Sequence, residues 1–218
     1  MIANEHEIYK TLKDLGFTDF ATSGIMANLY CESRFKPDNV QNSYEKIVGN
    51  NVDYTKKVNN GDLHIEQFAN DCAGYGLAQW TEYSRKKGLY AFIMARSKDI
   101  SNLYDQLAFL RLECQNSGLY GKLNKCTSPY DAGVLFMLKF ERPKNQTAQA
   151  QKNRGELATR FYNDNVSSVS IANQKSNLYK LFEMVSDTIA GKYGNGEDRK
   201  KALGKDYSIV QMIINYIM

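Results

Sequence analysis

The sequence predicts a mainly helical α+β protein with a small antiparallel β-region, followed by a small helical module at the C-terminus. Three observations support this fold class. Apolar residues recur at helical spacing in the first 34 residues and again beyond about residue 100. Residues 38–88 are instead rich in Asn, Gly, Asp and Tyr, which is typical of loops and a short antiparallel sheet. A separate apolar pattern begins after residue 174.

The first two helices are predicted at residues 4–15 and 18–34. Asn4 stands where a capping residue is expected, and Gly16 ends the first helix. Pro37 prevents the second helix from continuing far. The apolar faces consist of Ile8, Leu12 and Leu15 in the first helix and of Ala21, Ile25 and Leu29 in the second.

Further helices are predicted in the second half of the chain. Leu103, Leu107 and Leu110 mark one of them. Residues 128–131, Ser-Pro-Tyr-Asp, favour a helix start, because they supply a cap, a proline in the first turn and an acid near the positive end of the helix dipole. Pro143 ends this helix, and another is predicted at residues 146–162.

The domain organisation follows from a break in periodicity. Residues 163–174, NDNVSSVSIANQ, are rich in Asn and Ser and have no apolar repeat, as in a linker. We therefore divide the chain into a helical domain at residues 1–163, a linker at 164–174 and a helical module at 175–218. So small a module has a marginal core and is expected to be a compact bundle.

Composition argues against several classes of protein. Because 43% of the residues are hydrophobic and 24% charged, we expect a folded chain. The net charge of +4 is spread along the sequence rather than gathered in a stripe, so we expect no nucleic-acid partner. The N-terminal segment MIANEHEIYKTLKDLG lacks the apolar core of a secretory signal, which predicts cytosolic synthesis. No run approaches the roughly 20 apolar residues that cross a bilayer, so no membrane insertion is expected.

The cysteines do not predict a metal site. They form no CxxC pair, and only His6 and His64 could join them as ligands, so we expect neither a metal nor a cofactor. Cys31 can be interpreted as a nucleophile with His64 as its base. Its apolar neighbours favour a buried structural thiol instead. The four cysteines are Cys31, Cys72, Cys114 and Cys126.

Glu32 is the first candidate for chemistry. It lies near the end of a predicted helix, where the partial negative charge of the dipole disfavours a carboxylate. Apolar surroundings act in the same direction, and a carboxyl group that keeps its proton suits a general acid for glycoside cleavage. Asn28 lies one turn earlier on the same face and could orient it. An ordinary surface glutamate is the alternative.

The second candidate is the stretch GYGLAQWT at residues 74–81. Glycines flank Tyr75, so the backbone there can approach a ligand closely. Gln79 offers both a donor and an acceptor. Trp80, the only tryptophan, could stack on a sugar ring, although a strand with a core tryptophan is the alternative.

Several motifs occur in a fixed order along residues 5–162: Asn28, Glu32-Ser33, Pro37, Gln41–Glu45, the GYGLAQWT stretch, Arg85-Lys86 and Glu141-Arg142-Pro143. In this order they closely resemble phage tail-tip lysozymes and related phage lysins, and more distantly lytic transglycosylases. The resemblance implies a lysozyme-like fold with a cleft between the helices and a small β-region. It places Glu32 as the catalytic acid and puts Gln79 and Trp80 on the stretch that borders the substrate. Arg142 is a further substrate-binding candidate or a structural ion-pair residue.

The resemblance does not identify a second carboxylate. Inverting glycosidases hold a base roughly 6.5–9.5 Å from the acid, which leaves room for a water molecule. Four acidic residues lie between the two motifs, and of these we favour Glu45 or Asp71. A mechanism with Glu32 alone and a loosely positioned water also remains open. The four are Asp38, Glu45, Asp53 and Asp71.

Residues 189–211 resemble the short wall-binding repeat of a pneumococcal phage lysozyme, which recognises muropeptide. Its usual Gly-Lys-Trp-Gly-Asn-Gly appears here with Tyr193 in place of Trp. The glycines predict a tight turn before a helix that opens at Glu197-Asp198. Tyr193 and Arg199 are the muropeptide-contacting candidates.

These observations predict a phage endolysin of the muramidase type. Its expected substrate is bacterial peptidoglycan, cleaved between MurNAc and GlcNAc, and it would reach the wall through a separate lysis or virion component. A homo-oligomer through the C-terminal module could add avidity to a single repeat. The alternatives are a lytic transglycosylase, a phage tail protein that binds walls with little catalysis, and a Cys31–His64 peptidase.

Overall fold

The periodicity of the N-terminal segment produces the two predicted helices, α1 (Glu5–Asp14) and α2 (Asp19–Ser33). They belong to a computed structural model that describes residues 3–166 and 177–217. Thr18 caps α2, since its side chain accepts a hydrogen bond from the backbone N–H of Ala21. Asn4 forms no such cap. Its Nδ2 donates instead to the carbonyl oxygen of Phe35 at 2.9 Å, which ties α1 to the end of α2.

The predicted β-region is wrong for the residues that the structure describes. There the segment contains two isolated antiparallel bridges, Val40 with Tyr75 and Tyr75 with Trp80, and no strand. Most of it is helical. Three short helices precede the second bridge: α3 (Glu45–Val48), α4 (Asn51–Asn60) and α5 (Ile65–Asn70).

The sequence of α4 explains this correction. Tyr54 and Val58 lie four residues apart and are both buried, which is a short helical pattern. Asn50 caps the helix by accepting from the N–H of Asp53. Asn, Asp and Gly, which suggested loops, are here caps and helix ends, with Gly61 at φ 81°.

Three of the five remaining helices of the N-terminal part match predicted ones, whereas the helices Tyr83–Arg96 and Leu119–Asn124 were not predicted. Ser128 accepts from the N–H of Asp131, as its sequence context predicted. A single π-helical turn, Met137–Glu141, extends the helix that starts there. The last helix continues to Val166, so residues 164–166 of the predicted linker are helical, and 167–174 lie outside the described residues. The helices are α6 (Tyr83–Arg96), α7 (Leu103–Asn116), α8 (Leu119–Asn124), α9 (Pro129–Phe136) and α10 (Ala148–Val166).

Helices α2, α9 and α10 pack against one another in the core, and glycines set their close approach. A methyl group added at Gly24 would lie 2.6 Å from backbone atoms of Ala132 and Gly133. One added at Gly133 would lie 2.9 Å from Cβ of Ala158. The three helices therefore meet at almost backbone distance. This packing brings the end of α2, the turn after α9 and the start of α10 together.

The C-terminal residues form three helices, α11 (Asn177–Ile189), α12 (Glu197–Leu203) and α13 (Tyr207–Ile217). Helix α13 packs against α6. The hydroxyl of Tyr216 donates to the carbonyl oxygen of Ser84 at 2.7 Å, and its ring fills the space that a side chain at Gly88 would need. None of the helices in the described ranges has the length and apolar character that a membrane span requires.

Candidate active site

A cavity of about 720 Å³ opens beside the junction of α2, α9 and α10. Glu32 from α2 and Glu141 from the π-helical turn line it on one side, and Arg85 from the first turn of α6 lines it as well. Much of the remaining lining, which we call the amide wall, consists of amide and hydroxyl side chains. These are Asn39, Gln41, Asn42, Ser43, Gln79 and Thr81.

Glu32 forms an ion pair with Arg154 of α10, whose Nη2 lies 2.9 Å from its Oε1. The two side chains are 25% and 13% exposed, so the pair is only partly screened by water. Burial raises the pKa of the Glu32 carboxyl and lowers the pKa of the Arg154 guanidinium. A proton is therefore retained more readily on Glu32 than on a surface glutamate.

Sequence reasoning missed Arg154, which lies 122 residues from its partner. Arg154 also lies in helix α10, whose sequence pattern on its own gives no sign of a functional residue. The close packing of Gly133 against the backbone of Arg154 brings this residue beside the acid.

A second ion pair supports the wall of the cavity. The Arg85 guanidinium donates to both carboxylate oxygens of Glu113, at 2.6 and 2.9 Å. The indole Nε1 of Trp80 donates to the same carboxylate at 2.8 Å. The Trp80 ring has no exposed surface and therefore presents no face to a sugar, contrary to the stacking role that its sequence suggested. The large ring is buried because it packs against Phe109 beneath the cavity.

Glu141 is the third carboxyl group beside the cavity. Its Oε1 is buried, and no described residue supplies a hydrogen-bond partner for that oxygen. Burial raises the pKa of Glu141 well above its ordinary value, and the negative charge of Glu32 raises it further. We use the name Glu32 cluster for Glu32, Arg85, Glu113, Glu141 and Arg154.

The amide wall suits a ligand rich in hydroxyl and acetamido groups, because amide side chains both donate and accept. Gln79 has a left-handed backbone, φ 48°. Its Nε2 donates to the carbonyl oxygens of Asn39 and Gly76, at 2.9 and 3.0 Å. These bonds hold its side chain against the cavity, where the sequence predicted a substrate-binding residue.

Asp71, one of the two predicted second carboxylates, lies in a different cluster and does not line the cavity. It accepts hydrogen bonds from the ammonium of Lys86, the hydroxyl of Tyr54 and the N–H of Ala73. Lys86, with no exposed side-chain surface, also donates to the Tyr54 hydroxyl and the Ala73 carbonyl, so its three donors are used. We call these four residues the Asp71 cluster. Its contacts are those of a structural ion pair.

Other predicted site residues are also placed away from the cavity. Asn28 is buried, and its Nδ2 donates to the carbonyls of Gly24 and Gly133, so it ties α2 to α9 rather than orienting Glu32. Tyr75 is fully buried, and its hydroxyl pairs with Thr55 at 2.6 Å. Both positions follow from tight packing in the core.

Two further candidates lie at the surface. Glu45 begins the short helix α3 and is absent from the cavity lining. Arg142 has a left-handed backbone, φ 50°, and its exposed Nε donates to the carbonyl of Lys139. Arg142 therefore caps the end of the π-helical turn.

The two C-terminal candidates are Tyr193, in the glycine turn before α12, and Arg199, in the first turn of α12. Arg199 donates to the carbonyl of Gly194, to Oδ1 of Asn195 and to Oε1 of Gln211. Its guanidinium thereby joins the turn to α13. Tyr193 is half-buried against the apolar core of the module.

Neither a group of metal ligands nor the Cys31–His64 pair lies at the cavity among the described residues. Residues 3–166 and 177–217 contain no group of three or more His, Cys, Asp and Glu side chains that could hold a metal ion. The prediction of a buried Cys31 is wrong, because this thiol is exposed. Cys31 and His64 are both absent from the cavity lining.

A helical fold with a half-buried glutamic acid beside an amide-lined cleft is compatible with a glycoside hydrolase. The chain belongs to the phage tail lysozyme family, whose model matches residues 3–164. Residues 183–218 match the CW_7 repeat, a cell-wall-binding repeat. No curated protein and no solved structure matches the chain. The protein is thus a peptidoglycan hydrolase with a helical wall-binding repeat at its C-terminus, as the sequence predicted.

Proposed function

We propose that the protein is a muramidase: it hydrolyses the glycosidic bond between MurNAc and GlcNAc in peptidoglycan, with Glu32 as the general acid. The observation that supports this most strongly is the position of Glu32. It is the carboxyl group that both lines the cavity and is held by a cation from the helical core. Its raised pKa suits a group that must carry a proton near neutral pH.

In the proposed reaction the Glu32 carboxyl protonates the glycosidic oxygen as the bond to the MurNAc anomeric carbon breaks. Arg154 keeps the carboxyl in place and stabilises the carboxylate that remains after proton transfer. A water molecule adds to the oxocarbenium-like centre, and its proton returns to the site. A sugar that enters the cleft displaces water from Glu32, which favours the protonated form before the bond breaks.

The amide wall would select the substrate. Asn39, Gln41, Asn42 and Gln79 line the same cavity as Glu32 and can pair with the acetamido and hydroxyl groups of both sugars. The C-terminal repeat would bind the wall and raise the local concentration of the cleft at its substrate.

Mass spectrometry of the fragments released from purified walls tests the bond and the reaction together. We expect muropeptides that end in a reducing MurNAc. Fragments with 1,6-anhydro-MurNAc ends would show that the sugar's own 6-hydroxyl replaces water, as in a lytic transglycosylase. Fragments that end in reducing GlcNAc would show that the other glycosidic bond is cut.

A further inference from the structure

The charges around the cavity do not balance unless a proton is added. Among the described residues, the half-buried charges of the Glu32 cluster are two guanidinium groups, on Arg85 and Arg154, and three carboxyl groups. The exposed rim adds the acid Glu82 and the base Lys144, which offset each other. One proton on the three carboxyl groups therefore makes the site neutral.

The geometry limits where that proton resides. Glu113 accepts the two hydrogen bonds from Arg85 and one from Trp80, contacts that require a carboxylate. Glu32 has one cation partner, Arg154. Glu141 has a buried oxygen without a hydrogen-bond partner among the described residues, and such an oxygen is far less costly to bury in a neutral carboxyl group than in a carboxylate.

The backbone conformation at Glu141 brings its carboxyl group to the cavity. It is the last residue of the π-helical turn, and turns of this kind inside α-helices are frequent at functional sites. The turn directs Glu141 to the cavity that Glu32 and Arg85 also line, and the Arg85 guanidinium lies 4.6 Å from the centre of the neighbouring Phe140 ring.

We propose that Glu141 is a positioning residue for the catalytic proton: with Glu32 it forms a pair of carboxyl groups that holds one proton at neutral pH. This inference rests on the proposed role of Glu32 as the acid. The sequence left the second carboxyl group of the site undecided, with Glu45 and Asp71 as candidates. We assign Glu141 to this position instead, and its role is to keep a proton in the site rather than to activate water.

The groups that face Glu141 are consistent with this sharing. Glu32 from α2 and Glu113 from α7 both disfavour a negative charge on it, and Arg85 from α6 favours one. Because ionised Glu32 and ionised Glu141 repel each other, the pair loses its second proton at a higher pH than an isolated glutamate would. Glu32 can therefore regain a proton between turnovers at a pH where an isolated glutamate would stay ionised.

The test is the pH dependence of kcat on purified walls for the Glu141→Gln variant. Without the second carboxyl group Glu32 ionises alone, so the alkaline limb of the profile should move to lower pH by about one unit or more. The loss of activity should be smallest in mildly acidic buffer, where Glu32 keeps its proton without help from Glu141. Glu141→Asp retains a carboxyl group and should recover part of the alkaline activity.

Glu156→Gln is the matched control, because Glu156 lies exposed on the same helix as Arg154 and makes only an i,i+4 pair with Lys152. Its profile should not change. An alkaline limb that stays in place in Glu141→Gln, or a loss that is equal at all pH values, overturns the inference. If Glu32→Gln loses activity at every pH while Glu141→Gln keeps the original profile, Glu32 remains the general acid and only the role of Glu141 is refuted. Failure of this inference can therefore be distinguished from failure of the proposed function.

Carbon-13 NMR of the unmodified protein covers the case in which Glu141→Gln does not fold. The side-chain carboxyl signals of Glu32 and Glu141 should each show the same two inflections, as expected of a coupled pair. Single, independent inflections would contradict the inference.

Discussion

The Asp71 cluster and the Glu32 cluster both contain charged side chains removed from water, yet they differ in how completely their polar atoms are paired. In the Asp71 cluster the ammonium of Lys86 uses its three donors, and each oxygen of Asp71 has a donor. In the Glu32 cluster, Oε1 of Glu141 and Nε of Arg154 are buried without hydrogen-bond partners among the described residues. Satisfied networks stabilise a fold, whereas each buried polar atom without a partner is costly to it.

The comparison also explains why the sequence favoured Asp71 as one of two candidates for a second carboxylate. Asp71 lies between the two sequence motifs, where a second carboxylate was expected. In the structure it forms an ion pair with the buried Lys86, which is only 15 residues away in the chain. The Glu32 cluster is assembled from five separate elements by helix packing. The Glu32 cluster differs from the Asp71 cluster because it lies beside the cavity, which the position of its residues in the sequence does not reveal.

The largest effect on stability is expected from breaking the Asp71 cluster. Asp71→Asn would leave the buried Lys86 ammonium without its counter-ion, which should destabilise the fold by about 3–5 kcal/mol. Urea unfolding at neutral pH measures this value. Glu66→Gln is the matched control, because Glu66 pairs with Lys87 at the surface, where water screens the ion pair, so this change should affect stability far less.

The same variant has a defined pH dependence. Burial already lowers the pKa of Lys86, and without Asp71 that pKa would fall further. A lysine whose folded-state pKa lies below its unfolded value destabilises the fold most at low pH, and the penalty disappears as pH rises through the unfolded value near about 10.4. The deficit of Asp71→Asn should therefore shrink in alkaline buffer. A deficit that grows with pH would contradict the assignment of Lys86 as its cause.

A smaller effect is expected at the helix crossing that assembles the Glu32 cluster. Gly24→Ala places a methyl group 2.6 Å from the backbone of α9, so we expect a loss of about 1–3 kcal/mol from overpacking. Because α2 must shift, activity per folded molecule should fall as well. Calorimetry and a lysis assay on the same sample measure both quantities.

Gly121→Ala provides the control for this prediction. Gly121 lies in α8, and a methyl group there has no neighbour within 4 Å. The change should be neutral or should stabilise the helix by up to about 1 kcal/mol. Equal behaviour of the two alanine variants would mean that the close packing of α2 and α9 is not important for the site.

The smallest effect is expected in the C-terminal repeat. Arg199→Ala removes the bonds that join the glycine turn to α13, so wall binding should weaken severalfold without loss of catalysis on soluble fragments. Pelleting with purified walls measures this binding in a catalytically inactive background. Lys201→Ala, at an exposed position of the same helix, is the control and should pellet normally. If both variants pellet equally, Arg199 does not support wall binding.

The helices were largely predictable because their signals are local. Thr18 and Ser128 cap the helices that the sequence assigned to them, and the apolar spacing in α1 and α2 matches their buried faces. The short helix α4 was missed because its apolar pair is brief and its caps resemble loop residues. The prediction of a β-region was wrong for the same reason, because Asn, Asp and Gly residues that cap helices were interpreted as loop residues.

The site was only partly predictable because its partners are distant in sequence. Glu32 and Gln79 were found from motifs, and both line the cavity. Arg154 and Glu113 carry no local pattern, and they reach the site only through the packing of α10 and α7. Trp80 was assigned to sugar stacking from its chemistry, but the same apolar ring is more stable when buried.

The central claim is that the Glu32 cluster carries out catalysis and the Asp71 cluster does not. The most direct test is the specific lytic activity of Glu32→Gln and Asp71→Asn, each divided by its folded fraction. Glu32→Gln keeps the shape of the side chain but has no transferable proton, so it should lose on the order of 100- to 10,000-fold in rate. Asp71→Asn should keep nearly normal activity per folded molecule. Near-normal activity in folded Glu32→Gln, or an equal loss in both variants, would contradict the account.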